Sequence, residues 1–174
     1  CSGISLDAHI KLNVKNKFFS ESGTLLITHK GFSGPAILRL SAFAARNLHD
    51  NNYLGDLIIN WLCLGEDEVR SRINLCKLEN GKKLLINNKP FNYLPRSLWR
   101  SLVLSININS QLRWAELSKS QRESLVKGLT MNNYLIKGRG PYGEEFVTAG
   151  GVSLDEINFK TMESKICKGL YFAG

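Results

Sequence analysis

The sequence lacks several features that mark large classes of proteins. It has no uninterrupted run of about 18 apolar residues, so no segment is expected to cross a bilayer as a helix. Its four cysteines form no C-x-x-C pair, and its three histidines do not stand near them at metal-ligand spacing. We therefore expect no metal site. This use of cysteine suits a reducing compartment, and we expect a cytoplasmic protein. Cys63 and Cys167 stand within apolar runs, where a cysteine is usually a small buried side chain, and we expect both to be buried.

The chain is basic, with 23 Lys and Arg residues against 15 Asp and Glu residues and a net charge of +8. Such a charge is compatible with an acidic partner such as a nucleic acid. The basic residues are scattered, however, and are not interleaved with aromatic residues as in RNA-binding segments. We therefore favour a solvated basic surface and expect no nucleic-acid partner.

An alternative hypothesis is an interaction module that docks another protein or a nucleic acid through a basic helical region. This hypothesis requires a set of basic residues to share one face with exposed aromatic side chains. The residues are Lys82, Lys83, Arg96, Arg100, Arg113 and Lys119.

Alternation of apolar and polar residues predicts strands near the start of the chain. Residues 4–14 are apolar at every even position and polar at every odd position, which is typical of a strand with one buried face. Further strands and turns are predicted along the chain. They are a turn at 16–17, a strand start at 18–20, strands at 23–28 and 56–64, and strands at 133–137 and 145–148.

A helix is predicted over residues 35–48, because Ser33 is a good N-cap and Pro35 suits the first helical turn. Residues 65–131 have a helical pattern almost throughout, and Trp99 and Trp114 are expected to anchor the packing of these helices. Strands at both ends with helices between them predict an α+β fold. In this fold a small β-barrel-like subdomain is interrupted by a helical subdomain, with the divisions 1–64 and 132–168 for the barrel and 65–131 for the helices.

The segment at residues 28–35 is a candidate for function. It joins a strand to the predicted helix, and the N-terminus of a helix offers unpaired N–H groups to an anion. Gly31, Ser33 and Gly34 are therefore candidates for contact with a substrate or an anion. The residues alone favour the alternative, which is a plain strand-to-helix turn.

Two stretches near the end of the sequence are also informative. Gly150 and Gly151 follow a predicted strand, and such a pair lets a ligand or another backbone approach closely. Residues 170–174 form an apolar run that predicts a buried strand, with no helix after it to cover it. We therefore expect the chain to be part of a longer protein, with residues 169–174 returning to a domain that it lacks.

These segments resemble the bacterial family of NAD(FAD)-utilising dehydrogenases, or aminoacetone-oxidase-type flavoproteins. The resemblance is carried by GTLLITHKGFSGPAIL at residues 23–38 and by the stretch 147–174, and GISL at 3–6 is similar to the start of the family's inserted domain. Residues 51–133 match only in their helical character. The resemblance implies a Rossmann-type FAD-binding domain interrupted by a β-barrel that carries a helical subdomain, and this chain would be that insert.

The resemblance also implies a function. The chain would line the flavin and substrate cleft of an FAD-dependent oxidoreductase without being active alone. FAD would be held mostly by the absent Rossmann domain, so the chain alone is expected to bind no cofactor. NADH or NADPH would be a potential redox partner, and the substrate would be a small molecule.

Particular residues follow from the same resemblance. Those implied near the flavin are Thr148, Gly150, Gly151, Ala173 and Gly174. His29 is the candidate for proton transfer. For His29 a structural hydrogen bond is the alternative that we favour.

Overall fold

The structure, a computed structural model, describes residues 2–138 and 150–173. The strands are β1 (Ser5–Val14), β2 (Lys17–Ile27), β3 (Phe32–Ser33), β4 (Leu54–Asn60), β5 (Asn132–Lys137), β6 (Ile157–Asn158) and β7 (Glu163–Ser164). The helices are α1 (Pro35–Asp50), α2 (Glu66–Glu79), α3 (Arg96–Ser105) and α4 (Lys119–Thr130). Strands β1 to β5 form one curled sheet in the order β3-β2-β1-β4-β5, and β6 and β7 form a separate ribbon. The predicted α+β class, with a barrel-like sheet and a helical part, is confirmed.

The first two strands form a long hairpin whose turn fixes the register of the sheet. Lys15 and Asn16 have positive φ values of 47° and 63°, which is the conformation of a two-residue hairpin turn. This turn pairs Val14 with Lys17, so it lies one residue earlier than the sequence predicted. Because the pairing then continues without a break, β2 is one strand where two were predicted.

Helix α1 covers the inner face of this sheet. The even-numbered apolar residues of β1 from Ala8 to Val14 are at most 2% exposed. The helix buries Leu40 and Ala44 on the side that packs against β1 and β2. It continues to Asp50, two residues beyond the predicted end. Burying this stripe of aliphatic side chains is the main source of stability in this half of the molecule.

The start of α1 differs from the prediction. The N-cap residue is Gly34 and not Ser33, and no side chain caps the helix. Gly34 has a φ of +98°, and a Cβ placed on it would stand 2.8 Å from the carbonyl oxygen of Thr24 and 3.1 Å from the backbone nitrogen of Leu26. The first turn of the helix therefore packs directly on the backbone of β2, at a distance that only glycine permits.

The sheet curls until its two edge strands face each other across a seam. Phe32 of β3 and Tyr134 of β5 have ring centroids 4.8 Å apart. The ring of Trp61 lies 6.0 Å from Phe32 and 6.3 Å from Tyr134. Within residues 2–138 no ladder of backbone hydrogen bonds joins β3 to β5. Aromatic side chains, and not backbone pairing, therefore close the half-barrel.

The helical part packs around buried tryptophans, as predicted. Trp99 and Trp114 are 1% and 0% exposed, and their rings stack with centroids 6.3 Å apart. Each indole N–H donates to a backbone carbonyl oxygen at 3.1 Å, that of Trp99 to Leu85 and that of Trp114 to Asn88. These bonds satisfy the polar edge of both rings inside an otherwise apolar core.

The stretch from 150 to 173 forms the small β6–β7 ribbon and a single further bridge. Tyr171 makes a single bridge to Glu163, and Leu170 and Tyr171 are 46% and 61% exposed. Within the described residues 170–173 only Tyr171 finds a strand partner in this chain. The return of residues 169–174 to a domain that the chain lacks stays a prediction. The strand predicted at 145–148 lies outside the described residues.

Two cysteines are also placed differently from the expectation. Cys63 and Cys167 are both exposed, whereas Cys76 is buried. Strand β4 ends at Asn60, and Cys63 follows it in a bend with a φ of +54°. The apolar run around Cys63 is therefore divided between a strand and a bend, which the run alone does not reveal.

Candidate functional site

A cavity of about 610 Å³ opens at the seam of the half-barrel, between α1 and the edge strands. Its size lies in the usual range of small-ligand pockets, roughly 300–1,000 Å³. Most of its wall is aliphatic or aromatic, and two exposed lysines, Lys30 and Lys137, also line it. Its apolar wall includes Leu12, Phe32, Ile37, Leu40, Leu48, Leu57, Tyr134, Leu135 and Ile136. Such a wall suits a flat or apolar ring system, and the lysines suit an anionic group beside it.

Tyr134 brings a titratable group to this cavity. Burial raises the pKa of its hydroxyl above the ordinary value for tyrosine. Because that ordinary value is already about 10, the hydroxyl is protonated at neutral pH in either case and can donate a hydrogen bond. Sequence reasoning missed this residue. The signal was present in β5, where Tyr134 and Ile136 alternate with exposed residues and therefore face the interior.

Only part of the candidate segment 28–35 lies at the seam cavity. Gly31 lines the seam cavity, whereas His29, Ser33 and Gly34 do not line it. Thr28 closes a tight turn, with its N–H donating to the carbonyl oxygen of Gly31 at 2.8 Å and its hydroxyl at 3.0 Å. His29 is exposed on this turn. The close packing of Gly34 on β2 explains why a glycine stands at this position, and the explanation requires no ligand.

The residues that the resemblance places near a flavin are open to solvent where the structure describes them. Gly150, Gly151 and Ala173 are exposed, and Thr148 and Gly174 lie outside the described residues. A Cβ added to Gly150 or Gly151 would meet no atom within 4 Å, and Gly151 has a φ of +124°. The contact of these residues with a flavin stays a prediction.

Other kinds of site are not seen in the described ranges. Within residues 2–138 and 150–173, no group of three or more His, Cys, Asp and Glu side chains is placed to hold a metal ion. No helix in those same ranges is long and apolar enough to cross a membrane.

The basic residues of the helical part are only partly brought together. The backbone N–H of Trp114 donates to the carbonyl oxygen of Lys83 at 3.1 Å. This bond places Arg113 beside Lys82 and Lys83, and all three are exposed. Arg96 and Arg100 lie on a different element, α3. The two segments joined by the bond between Lys83 and Trp114 carry no exposed aromatic side chain.

A protein-family model matches residues 1–147 of the chain, and it is described as "HI0933-like protein barrel and H2TH domain". The chain belongs to this family. The description agrees with the half-barrel and the helices that follow it. Membership in the HI0933-like family supports the resemblance to flavoprotein oxidoreductases at the coarse level of the family.

Three curated relatives carry names of oxidoreductase type. The chain is 30% identical over 173 residues to "Ribosomal RNA dihydrouridine synthase" of Haemophilus influenzae, covering 99% of this chain and 40% of the relative. It is 27% identical over 161 residues to the protein of the same name in Escherichia coli, covering 89% and 37%. It is 24% identical over 178 residues to "3-dehydro-bile acid delta(4,6)-reductase" of Clostridium scindens, covering 99% and 42%. The chain thus spans about two fifths of the length of these relatives.

Proposed function

We propose that this chain is the barrel-and-helix part of a flavin-dependent reductase, in which it lines the cleft between flavin and substrate. The flavin, FAD, would be held mainly by residues outside the chain. The observation that carries this proposal is the match of 99% of the chain to a dihydrouridine synthase and to a bile acid reductase, each of which it covers by about 40%. Gly150 and Gly151 are the proposed contacts at the edge of the cofactor, and this part of the proposal rests on the family resemblance.

The chemistry proposed is the addition of two hydrogens across a carbon–carbon double bond. Dihydrouridine is uridine with two added hydrogens, so a synthase that makes it from uridine is a reductase. A reduced flavin supplies a hydride for such a step, and NADH or NADPH would be the electron donor. The second carbon of the bond must receive a proton. We propose that Tyr134 gives that proton, because it lines the seam cavity and a tyrosine hydroxyl is protonated at neutral pH.

The substrate that we propose is a uridine in ribosomal RNA, since two relatives with 30% and 27% identity are named for that product. This proposal reverses the expectation, drawn from the scattered basic residues, that the chain has no nucleic-acid partner. A second candidate is a steroid acid. The apolar wall of the seam cavity favours it, because a fused ring system with an anionic side chain would match both the aliphatic residues and the two lysines.

Flavin reoxidation tests both substrates in one experiment. The protein encoded by the whole gene is reduced with NADH or NADPH without oxygen, and is then mixed with a ribosomal RNA fragment or with a 3-dehydro bile acid. Return of the absorbance of oxidised flavin on mixing with the RNA is the expected result. Reoxidation by the steroid alone would select the second candidate. Reoxidation by neither substrate would overturn the proposed reductase.

A matched pair of variants tests the role of Tyr134. Tyr134→Phe is expected to slow reoxidation by at least about tenfold without loss of bound flavin. Tyr93→Phe is the control, because Tyr93 is 55% exposed and lies in the helical part. Equal rates for the two variants would remove Tyr134 from the proton transfer.

The place of the flavin is tested on the chain alone. The 174-residue chain is titrated with FAD while the quenching of flavin fluorescence is followed. We expect no saturable binding at micromolar concentration. Stoichiometric retention of FAD by the chain would contradict the proposal that the flavin is held mainly elsewhere.

A further inference from the structure

The wall of the seam cavity carries charge of one sign. Lys30 and Lys137 are exposed and line the cavity. Among the described residues, no Asp or Glu is part of that wall. The one acidic residue of β4 and β5 is Asp56, which pairs with Leu135 and does not line the cavity. The opening of the cavity is therefore positive and attracts an anion.

Lys30 is held at the cavity by a hydrogen-bonded turn. The hydroxyl of Thr28 donates to the carbonyl oxygen of Gly31 at 3.0 Å and accepts from the backbone N–H of Lys30 at 3.4 Å. The N–H of Thr28 donates to the same carbonyl oxygen at 2.8 Å. Phe32, which follows Gly31, pairs with Ile27 of β2. The backbone that carries Lys30 is thus fixed on both sides, so that only the lysine side chain has to be ordered when a ligand binds.

Lys137 stands on the other side of the seam. It is the last residue of β5, and it pairs with Leu54 of β4. Three residues earlier on β5, the ring of Tyr134 lies 4.8 Å from that of Phe32, which follows Lys30 by two residues. This ring contact brings together the two segments that carry the lysines. An anionic group at the opening can therefore be reached by an ammonium from each side.

The rest of the wall restricts what the anion is attached to. A lysine ammonium is a point charge with three donors, which suits a phosphate as well as a carboxylate. A small inorganic anion would leave the apolar wall in contact with water, whereas a ring compound would cover it. The aliphatic part of that wall is Leu12, Ile37, Leu40, Leu48 and Leu57. The ligand class that fits is a ring compound with one anionic group beside the ring.

We propose that Lys30 and Lys137 hold the anionic group of the substrate at the opening of the seam cavity, while its ring lies against the apolar wall. This inference rests on the proposed function, in which the seam cavity receives the substrate. The anionic group is a phosphate beside the target uridine or the carboxylate of a steroid acid, and the lysines donate charge-assisted hydrogen bonds to either one. Because these residues all belong to this chain, it is expected to bind such a ligand without flavin.

Two matched pairs of ligands test the role of charge. The 174-residue chain is titrated in a calorimeter with uridine 5′-monophosphate and uridine, and with a 3-dehydro bile acid and the alcohol in which a hydroxymethyl group replaces its carboxylate. In at least one pair the charged member is expected to bind at least about tenfold more tightly. The pair that responds identifies the anionic group as phosphate or carboxylate. Equal affinity within both pairs, or no saturable binding of any ligand, would overturn the inference.

Three lysine variants test the residues. Lys137→Gln and Lys30→Gln are each expected to lower the ratio of charged to neutral affinity at least about threefold. A variant with a distorted cavity would lose both ligands alike, so this ratio reports the charge contact itself. Lys82→Gln is the control, because Lys82 is exposed and does not line the cavity. An unchanged ratio in both cavity variants, or an equal fall in Lys82→Gln, would mean that only the net charge attracts the anion and would overturn the site.

Tryptophan fluorescence tests the place of binding. The ring of Trp61 lies 6.0 Å from Phe32 and 6.3 Å from Tyr134, and both of these residues line the cavity. Trp99 and Trp114 lie in the helical part. The charged ligand is therefore expected to change the emission of the wild type, and Trp61→Phe is expected to lose this change and keep its affinity. A change that persists in Trp61→Phe would put the ligand elsewhere and overturn the inference.

Kinetics of the whole protein separate this inference from the proposed function. Lys137→Gln is expected to raise KM at least about threefold and to leave kcat within about twofold, because the contact is the same before and during the reaction. If neither substrate reoxidises the flavin while the chain binds an anion through both lysines, the reductase is overturned and the anion site stands. If reoxidation proceeds with unchanged KM in both lysine variants, the reductase stands and the inference is overturned.

Discussion

Replacing Gly34 by alanine is expected to destabilise the fold by about 2–5 kcal/mol. The residue has a φ of +98°, and an alanine Cβ would stand 2.8 Å from the carbonyl oxygen of Thr24. The left-handed backbone costs about 1–2 kcal/mol for a residue with a Cβ, and forcing an atom into a packed contact costs about 1–3 kcal/mol more. The neighbour is backbone of a paired strand, so it cannot move aside as a flexible side chain would.

The assay is urea unfolding followed by tryptophan fluorescence, which suits a chain whose three tryptophans are at most 1% exposed. For a domain of this size the loss corresponds to a melting temperature lower by roughly 4–20 °C. Gly128→Ala is the matched control. Gly128 lies inside α4, its nearest contact to an added Cβ is an ordinary 3.5 Å to Ile106, and alanine is the better helix former by up to about 1 kcal/mol.

The two variants are therefore expected to change stability in opposite directions. A Gly34→Ala protein within about 1 kcal/mol of the wild type would refute the packing argument. The presence of glycine at position 34 would then need an explanation other than its contact with β2. Refutation of this kind would return Gly34 to the set of candidate ligand-binding residues.

Two further predictions concern pH and buried polar groups. The hydrogen bond from Arg70 to Glu123, 3.0 Å long at one nitrogen, holds the pKa of Glu123 below its usual value. The stability from this pair is present above about pH 4.3 and is lost as the pH falls through the lowered pKa, so acid should destabilise the wild type more steeply than Glu123→Gln in urea titrations. A parallel pH dependence would contradict this. In the same assay, Trp114→Phe is expected to lower the free energy of unfolding by about 1 kcal/mol more than Trp61→Phe does. The reason is that the indole N–H of Trp114 has a hydrogen-bond partner, whereas that of Trp61 has none in the described residues. Equal losses of stability in the two variants would contradict this prediction.

The strands and helices follow from local patterns, which is why most of them could be predicted. Strict alternation over residues 4–14 gives β1 its buried face, and the spacing of apolar residues gives α1 its packed stripe. The N-cap of α1 could not be predicted in the same way. Ser33 is the better local cap, but the close approach of the helix to β2 places Gly34 at that position.

The seam cavity depends on contacts between residues that are distant in sequence. The seam cavity needs Phe32 to meet Tyr134 after the sheet has curled, and no local pattern encodes that contact. The position of Phe18 on the outer face of the sheet, by contrast, is set locally by the hairpin turn at Lys15 and Asn16, which pairs it with Asn13. A turn at 16–17, as predicted, would instead pair Phe18 with Lys15, so the ring would stay on the same face but stand two residues further along β1.

The closure of the seam by Phe32, Tyr134 and Trp61 has a consequence for how substrate range changes during evolution. A barrel closed by a backbone ladder must break several hydrogen bonds, each worth about 0.5–1.5 kcal/mol, before its opening can widen. Here the width is set by a few side chains. Substitution at Phe32 would resize the opening and leave every strand pair in place, so the width of the cavity mouth can change without a change of fold.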